Sequence, residues 1–402
     1  MSTHTSSIPI KGEVKEGFER VEEQFRKNFT ERGELGAACS IYYRGDLVVD
    51  LWGGYKKEGT SQPWEEDTIV LTYSVTKGLS ALATAVAVSR GYLHYEAPVT
   101  SVWPEFGQNG KASILIKDLI SQRAGLCAVN HRMNASNLGD LSLVSDLMAA
   151  ERPEWKVNDF SGNHPYSIGW IHSQLLRRSD PYRRSLRTFF RDEVAAPLGA
   201  TFYIGLPSEF DHTRIARIKG FESWKSIFHM KTLPWKMVLL AFLPWTLTFR
   251  ALNNPFFWNP ADLDSPDYWP IENGGAGGMG TARGVASIYS GFALRDKKLG
   301  ITDEVFDALC AKADKPRYGW EDRVLKTNLR YSMGLEKPDD SYLSGCSPRS
   351  FGTFGIGGSL GFADPDAEVG FAYLTNKLGF TTWNDPRQNS LREAFYDCIS
   401  GN

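Results

Sequence analysis

Two strand pairs sit at opposite ends of this chain, and whatever lies between them must fold so that they can meet. Residues 37–43 and 47–51 are apolar runs on either side of Arg44-Gly45-Asp46, a good hairpin turn. Residues 360–363 and 369–374 flank Asp364-Pro365-Asp366, a second strong turn. Between these ends the pattern is helical and looped, with helical runs over 114–120, 141–150, 170–178 and 186–194. Val14, Phe18, Val21 and Phe25 recur at helical spacing over residues 13–29, and residues 387–399 read as a closing amphipathic helix. The pattern predicts an α+β fold: an antiparallel sheet flanked by helices, plus a mainly helical inserted domain. The expected division puts about 12–100 and 280–402 in the helix–sheet part, and about 101–279 in the helical part.

A chain of 402 residues has room for such a core and an inserted lobe. Hydrophobic residues at 42% and aromatics at 13% exclude a disordered chain. A net charge of −2 gives no electrostatic reason to expect nucleic acid or an anionic membrane. The five cysteines are widely spaced and odd in number, which argues against a disulfide framework and fits a reducing compartment. Residues 1–11 are polar, without the apolar core of a secretory signal. The most apolar stretch, residues 234–249, is broken by Lys236 and Pro244 and falls short of the ~20 residues a spanning helix needs. A soluble, cytoplasmic protein with no membrane span is expected, and a homo-oligomer stays open. The seven histidines form no His-x-His or His-x-x-x-His pair, and there is no dinucleotide fingerprint, so no metal or cofactor is expected.

Chemistry enters at Tyr73-Ser74-Val75-Thr76-Lys77-Gly78-Leu79, a Ser-x-x-Lys that leads into the apolar run 79–88. If that run is a helix, Ser74 sits in its first turn with Lys77 one turn on, on the same face. A serine there feels the positive end of the helix dipole, and an amine in reach can take its proton. The competing explanation is a serine that only caps the helix.

Two further stretches stand out. Residues 209–264 carry Trp224, Phe228, Trp235, Phe242, Trp245, Phe249, Phe256, Phe257 and Trp258. A buried helical lobe is the first expectation, and a lid or lipophilic substrate wall the second. Gly274, Gly275, Gly277, Gly278 and Gly280 precede a helical run over 282–294. No Gly-Lys-Ser/Thr follows, so a tightly packed loop is expected there rather than a phosphate cradle.

Taken together, Ser74-x-x-Lys77, the helical insertion and the glycine-rich C-terminal strand resemble the serine β-lactamase and penicillin-binding-protein superfamily. More narrowly, the chain resembles its class C-like esterases, the family VIII carboxylesterases and β-lactamase domain proteins. Collinear support comes from Asp50-Leu51-Trp52-Gly53-Gly54, Trp103-Pro104-Glu105-Phe106, Ala196-Pro197-Leu198-Gly199 and Gly357-Gly358-Ser359-Leu360-Gly361-Phe362-Ala363-Asp364-Pro365. The resemblance implies a site in the cleft between the two parts, with Ser74 acylated and Lys77 as its base. It also implies an oxyanion hole made by the backbone N–H groups of Ser74 and Ile356, the latter within Gly355-Ile356-Gly357.

Two positions depart from the family pattern. The second motif supplies a proton-shuttling tyrosine, and here the stretch reads Gly162-Asn163-His164-Pro165-Tyr166-Ser167-Ile168-Gly169-Trp170. A gapless match puts Asn163 at the tyrosine position, whereas the need for a titratable group favours Tyr166. The third motif, normally Lys-Thr-Gly or His-x-Gly, reads Thr353-Phe354-Gly355. Losing that cation weakens the case for a carboxylate-bearing substrate. Gln122 likewise stands where relatives often have histidine. The leading expectation is a serine hydrolase or acyltransferase on a small, lipophilic ester. The alternatives are a specialised non-hydrolytic biosynthetic enzyme (isomerisation, elimination or rearrangement) and a non-catalytic binding protein that kept the fold.

Overall fold

The computed structural model describes residues 8–221, 234–339, 343, 346–381 and 384–401. Its main sheet has eight antiparallel strands drawn from both chain ends. These are β1 (Ile10–Val14), β2 (Gly36–Tyr43), β3 (Asp46–Gly54), β8 (Tyr331–Ser332), β9 (Leu335–Glu336), β10 (Phe351–Phe354), β11 (Leu360–Asp364) and β12 (Val369–Thr375). They run in the order β1-β3-β2-β12-β11-β10-β9-β8. The two hairpins read from the sequence meet where β2 pairs with β12, from Ala37 opposite Thr375 to Tyr43 opposite Val369. Arg44 and Gly45 take positive φ between β2 and β3, the conformation a two-residue turn matched to strand twist requires.

Strand alternation divides the sheet between two cores. Phe362 and Phe371 stack at 5.1 Å on one face, packed with Val21, Phe25, Leu391 and Phe395 of helices Glu19–Thr30 and Pro386–Ser400. Their neighbours Ala363 and Ala372 point the other way, into a core shared with helices Val75–Ser89, Ser167–Ser179 and Ala282–Ala293. Small residues are needed on that second face. A Cβ on Gly370 would lie 2.3 Å from the Ser290 backbone nitrogen, so glycine lets helix Ala282–Ala293 lie flat on the sheet.

A smaller sheet joins β4 (Ile69–Leu71), β5 (Phe202–Ile204), β6 (Ile215–Ala216) and β7 (Gly278–Gly280) in the order β5-β7-β4-β6. It launches the Ser74 helix, since β4 ends three residues before Ser74. The glycine cluster is a packed loop running into β7. Gly275 presses on helix Ser167–Ser179, where a Cβ on Gly169 would meet the Gly275 nitrogen at 2.2 Å.

Two readings from the sequence need correction. Val14 belongs to a strand, and the first helix starts only at Glu19. Residues 10–14 carry polar Lys11 and Glu13 on a sheet edge, where backbone pairing with β3 substitutes for an apolar pattern. The aromatic stretch is not a buried lobe: Phe242 is 77%, Trp245 76% and Trp258 91% exposed. Trp224 and Phe228 lie outside the described residues. The five cysteines are free thiols. Among the described residues no helix is long and apolar enough to cross a membrane.

Candidate active site

Ser74 stands at the N-terminus of helix Val75–Ser89, yet its side chain makes no capping hydrogen bond, so capping does not account for it. The turn into this helix is forced by Tyr73, whose φ of 48° is left-handed and costly for an aromatic residue. The Tyr73 hydroxyl donates to the Pro260 carbonyl at 3.1 Å, one of the contacts that hold the strained turn. Ser74 is half-buried and opens onto a cavity of about 610 Å³.

Lys77 lies one turn further on, 2% exposed. Its Nζ donates to Asn163 Oδ1 at 2.9 Å. The Asn163 Nδ2 donates in turn to the Tyr331 hydroxyl at 3.0 Å, and that hydroxyl donates to Asp322 Oδ2 at 3.1 Å. Asp322 Oδ1 accepts the Val324 and Leu325 backbone N–H groups at 2.8 and 2.7 Å. Each group in this buried chain is fixed by the next, so the amide of Asn163 has one workable orientation. Burial lowers the Lys77 pKa to about 8, opposed by the negative charges of Glu336 and Asp322. Glu336 reaches the same cavity from β9, where it sits opposite Tyr331 across the β8–β9 hairpin and accepts the Phe354 N–H at 3.3 Å.

Thr353 shows what the altered third motif does here. Its hydroxyl donates to the Val75 carbonyl at 3.2 Å and accepts the Gly78 N–H at 3.2 Å. It therefore ties β10 to the first turn of the Ser74 helix. A Cβ on Gly78 would lie 2.5 Å from Thr353 Oγ1, so glycine after Lys77 is what allows the two to touch. Beyond β10, Ile356 lines the cavity at 40% exposure. The turn that carries it is closed by Gly355 N–H to the Ser359 carbonyl at 2.8 Å. Arg387 braces it from behind, donating to the Gly357 carbonyl at 2.6 Å while paired with Asp385 and Glu34.

Tyr166 lines the same cavity from the N-terminus of helix Ser167–Ser179, and burial, with Tyr268 close by, raises its hydroxyl pKa. The hydrogen bond of the Lys77 amine goes to Asn163, the position favoured by the gapless match. His164 is fully buried. Burial first, then the charge of Lys77, lower its pKa to about 3, so it is neutral at physiological pH. Gln122 accepts the His164 backbone N–H at 2.7 Å and steadies this stretch.

The rest of the cavity is apolar, walled by Phe221, Met237, Val238, Phe249, Phe257 and Leu325 among others. Among the described residues, Glu336 is the one charged side chain in the lining, and no Lys, Arg or His is present. No group of three or more His, Cys, Asp or Glu is arranged to hold a metal among the described residues. Reasoning from the sequence missed Asp322, Tyr331 and Glu336. No local motif marks them.

A family model described as Beta-lactamase matches residues 18–392. Esterase/beta-lactamase LipL of Mycobacterium tuberculosis (strain ATCC 25618 / H37Rv) is 30% identical over 356 residues, 88% of this chain and 80% of that one. A crystal structure of a family VIII carboxylesterase has a TM-score of 0.84 at 30% identity, covering 97% of this chain and 100% of that one. EstA from Arthrobacter nitroguajacolicus Rue61a has a TM-score of 0.82 at 28% identity, with 96% and 98% covered.

Proposed function

This chain belongs to the Beta-lactamase family and is an enzyme of its fold, and on that footing we propose that it is a serine esterase for neutral, lipophilic esters. The observation that carries the reading is the cavity itself: Ser74, freed from capping, opens into an apolar chamber while a buried amine stands one turn away. Ser74 Oγ attacks the ester carbonyl, and its proton passes to the neutral Lys77 amine. The backbone N–H groups of Ser74 and Ile356 hold the oxyanion. Collapse expels the alcohol, which takes up the proton, with Tyr166 donating a hydrogen bond to the leaving oxygen. Water then attacks the acyl-enzyme and releases the acid.

Asn163, held by Tyr331 and Asp322, keeps the amine aimed, while the Glu336 carboxylate keeps its basicity from falling further. Among the described residues the lining carries no cation, which disfavours substrates that carry a carboxylate. Apolar walls also favour an alcohol over water as the acyl acceptor, which makes acyl transfer a second outcome of the same acyl-enzyme.

A fluorophosphonate probe tests this directly. It is expected to label the wild type and not Ser74→Ala, with p-nitrophenyl esters cleaved only by the former. An unlabelled wild type that leaves these esters intact overturns the reading. Added short alcohols are expected to divert product from acid to ester.

A further inference from the structure

Nine large hydrophobic side chains are exposed among the described residues, and six of them fall between residues 235 and 258: Trp235, Leu239, Phe242, Trp245, Phe256 and Trp258. They form one rim. Asn253 Nδ2 donates to the Ala241 carbonyl at 3.1 Å, the Thr246 hydroxyl donates to the Leu240 carbonyl at 2.6 Å, and the Phe256 and Trp258 rings lie 5.1 Å apart. Phe242, Phe256 and Trp258 also line the cavity, so the exposed surface is continuous with its mouth.

Apart from Lys236, the helix Trp235–Leu240 is apolar on both sides. Met237 and Val238 face the cavity, while Trp235 and Leu239 face outward at 58% and 55% exposure. A helix at a protein–water boundary shows mostly polar residues on its outer face, whereas the exposed positions here are Trp235, Leu239 and the single cation Lys236.

The charge pattern points the same way. Residues 223–261 contain no Asp or Glu, in a chain that has 47 of them, and carry Lys225, Lys231, Lys236 and Arg250. Arg250 is answered by Glu154 at 2.7 Å, whereas Lys236 stays exposed beside the Trp235 ring, 6.0 Å from its centroid. Tryptophans mixed with lysine and free of acids make up a surface suited to the headgroup region of a bilayer.

We propose that the rim formed by residues 235–258 docks the protein on a lipid surface bearing anionic headgroups, with the cavity mouth facing the lipid. Docking in this orientation brings lipophilic substrate to Ser74 without passage through water. It does not depend on the esterase reading, because binding is measured without turnover.

The test is co-sedimentation of the full chain with vesicles of phosphatidylcholine alone and with added phosphatidylglycerol. Wild type and Ser74→Ala are expected to bind the mixed vesicles equally, and less at high salt. The variant Trp235→Ser/Leu239→Ser/Trp245→Ser changes side chains outside the cavity lining. Its partition is expected to drop about tenfold or more, with thermal midpoint and short-ester turnover retained. Lys236→Glu is expected to remove the dependence on phosphatidylglycerol. Absence of binding by the wild type, or equal binding by the triple variant, overturns the proposal. So does a wild-type dimer that the triple variant dissociates, because a second copy then covers the rim.

Discussion

The floor and the rim of one cavity are built on opposite principles. Under Ser74 the side chains are polar, buried and locked in sequence, from Lys77 through Asn163 and Tyr331 to Asp322. Around the mouth, the side chains of residues 235–258 are large, apolar and largely free of the packing that buries such groups elsewhere. A polar network inside a protein tolerates little displacement, because each lost partner leaves an unpaired group in low dielectric. An apolar rim tolerates exchange, because its contacts have no fixed direction. On the proposed function, the floor does the chemistry and the rim selects the substrate.

Variants can break that division or sharpen it. Lys77→Met removes the base, and acylation is expected to fall about 10³-fold, read by single-turnover release from a p-nitrophenyl ester. Asn163→Leu leaves the amine in place without its acceptor. A loss of about 100-fold is expected, in kcat rather than KM, as for other small misalignments. In both cases chain length of the substrate should not matter, and a loss confined to long esters would collapse the distinction between floor and rim.

On the rim, Trp258→Ala is expected to lower kcat/KM about tenfold for long acyl esters and to leave acetate esters nearly untouched. Tyr331→Phe removes the acceptor of Asn163 and the donor to Asp322, Tyr166→Phe removes the hydrogen bond proposed to the leaving oxygen, and each is expected to cost about fivefold. The smallest effect is a shift rather than a loss. Acylation by the wild type should rise with pH with a midpoint near 8, because the amine is free only above its lowered pKa. Glu336→Gln removes a negative charge that holds the proton on Lys77, so that midpoint should move to lower pH. A shift to higher pH would mean that Glu336 does not act on Lys77.

The frame of the fold is legible where sequence neighbours decide the outcome. Turn residues at 44–46 and 364–366 with apolar alternation around them define strands, and in β11 and β12 that alternation separates phenylalanine from alanine faces. Ser74 and Lys77 are legible because one helical turn joins them. Legibility ends where the partner is distant: Tyr331 meets Asn163 across 168 positions, and nothing near either residue signals the other. Between Asn163 and Tyr166 the chemistry of the side chain and its place in the fold favour different residues. Only the geometry shows which of them the amine touches. The aromatic lobe misleads for another reason, since hydrophobicity predicts burial without naming what does the burying. A net charge of −2 likewise averages away an acid-free segment.

Thr353 has a consequence for how this enzyme could change. Where the family pattern has a lysine or histidine, this chain uses the position to fasten β10 to the helix that follows Ser74. Putting a cation at this position would remove both the bond to the Val75 carbonyl and the acceptor of the Gly78 N–H, so the charge of the cavity and the seating of the Ser74 helix change together. One hydroxyl thereby couples which substrates fit to how the helix is held.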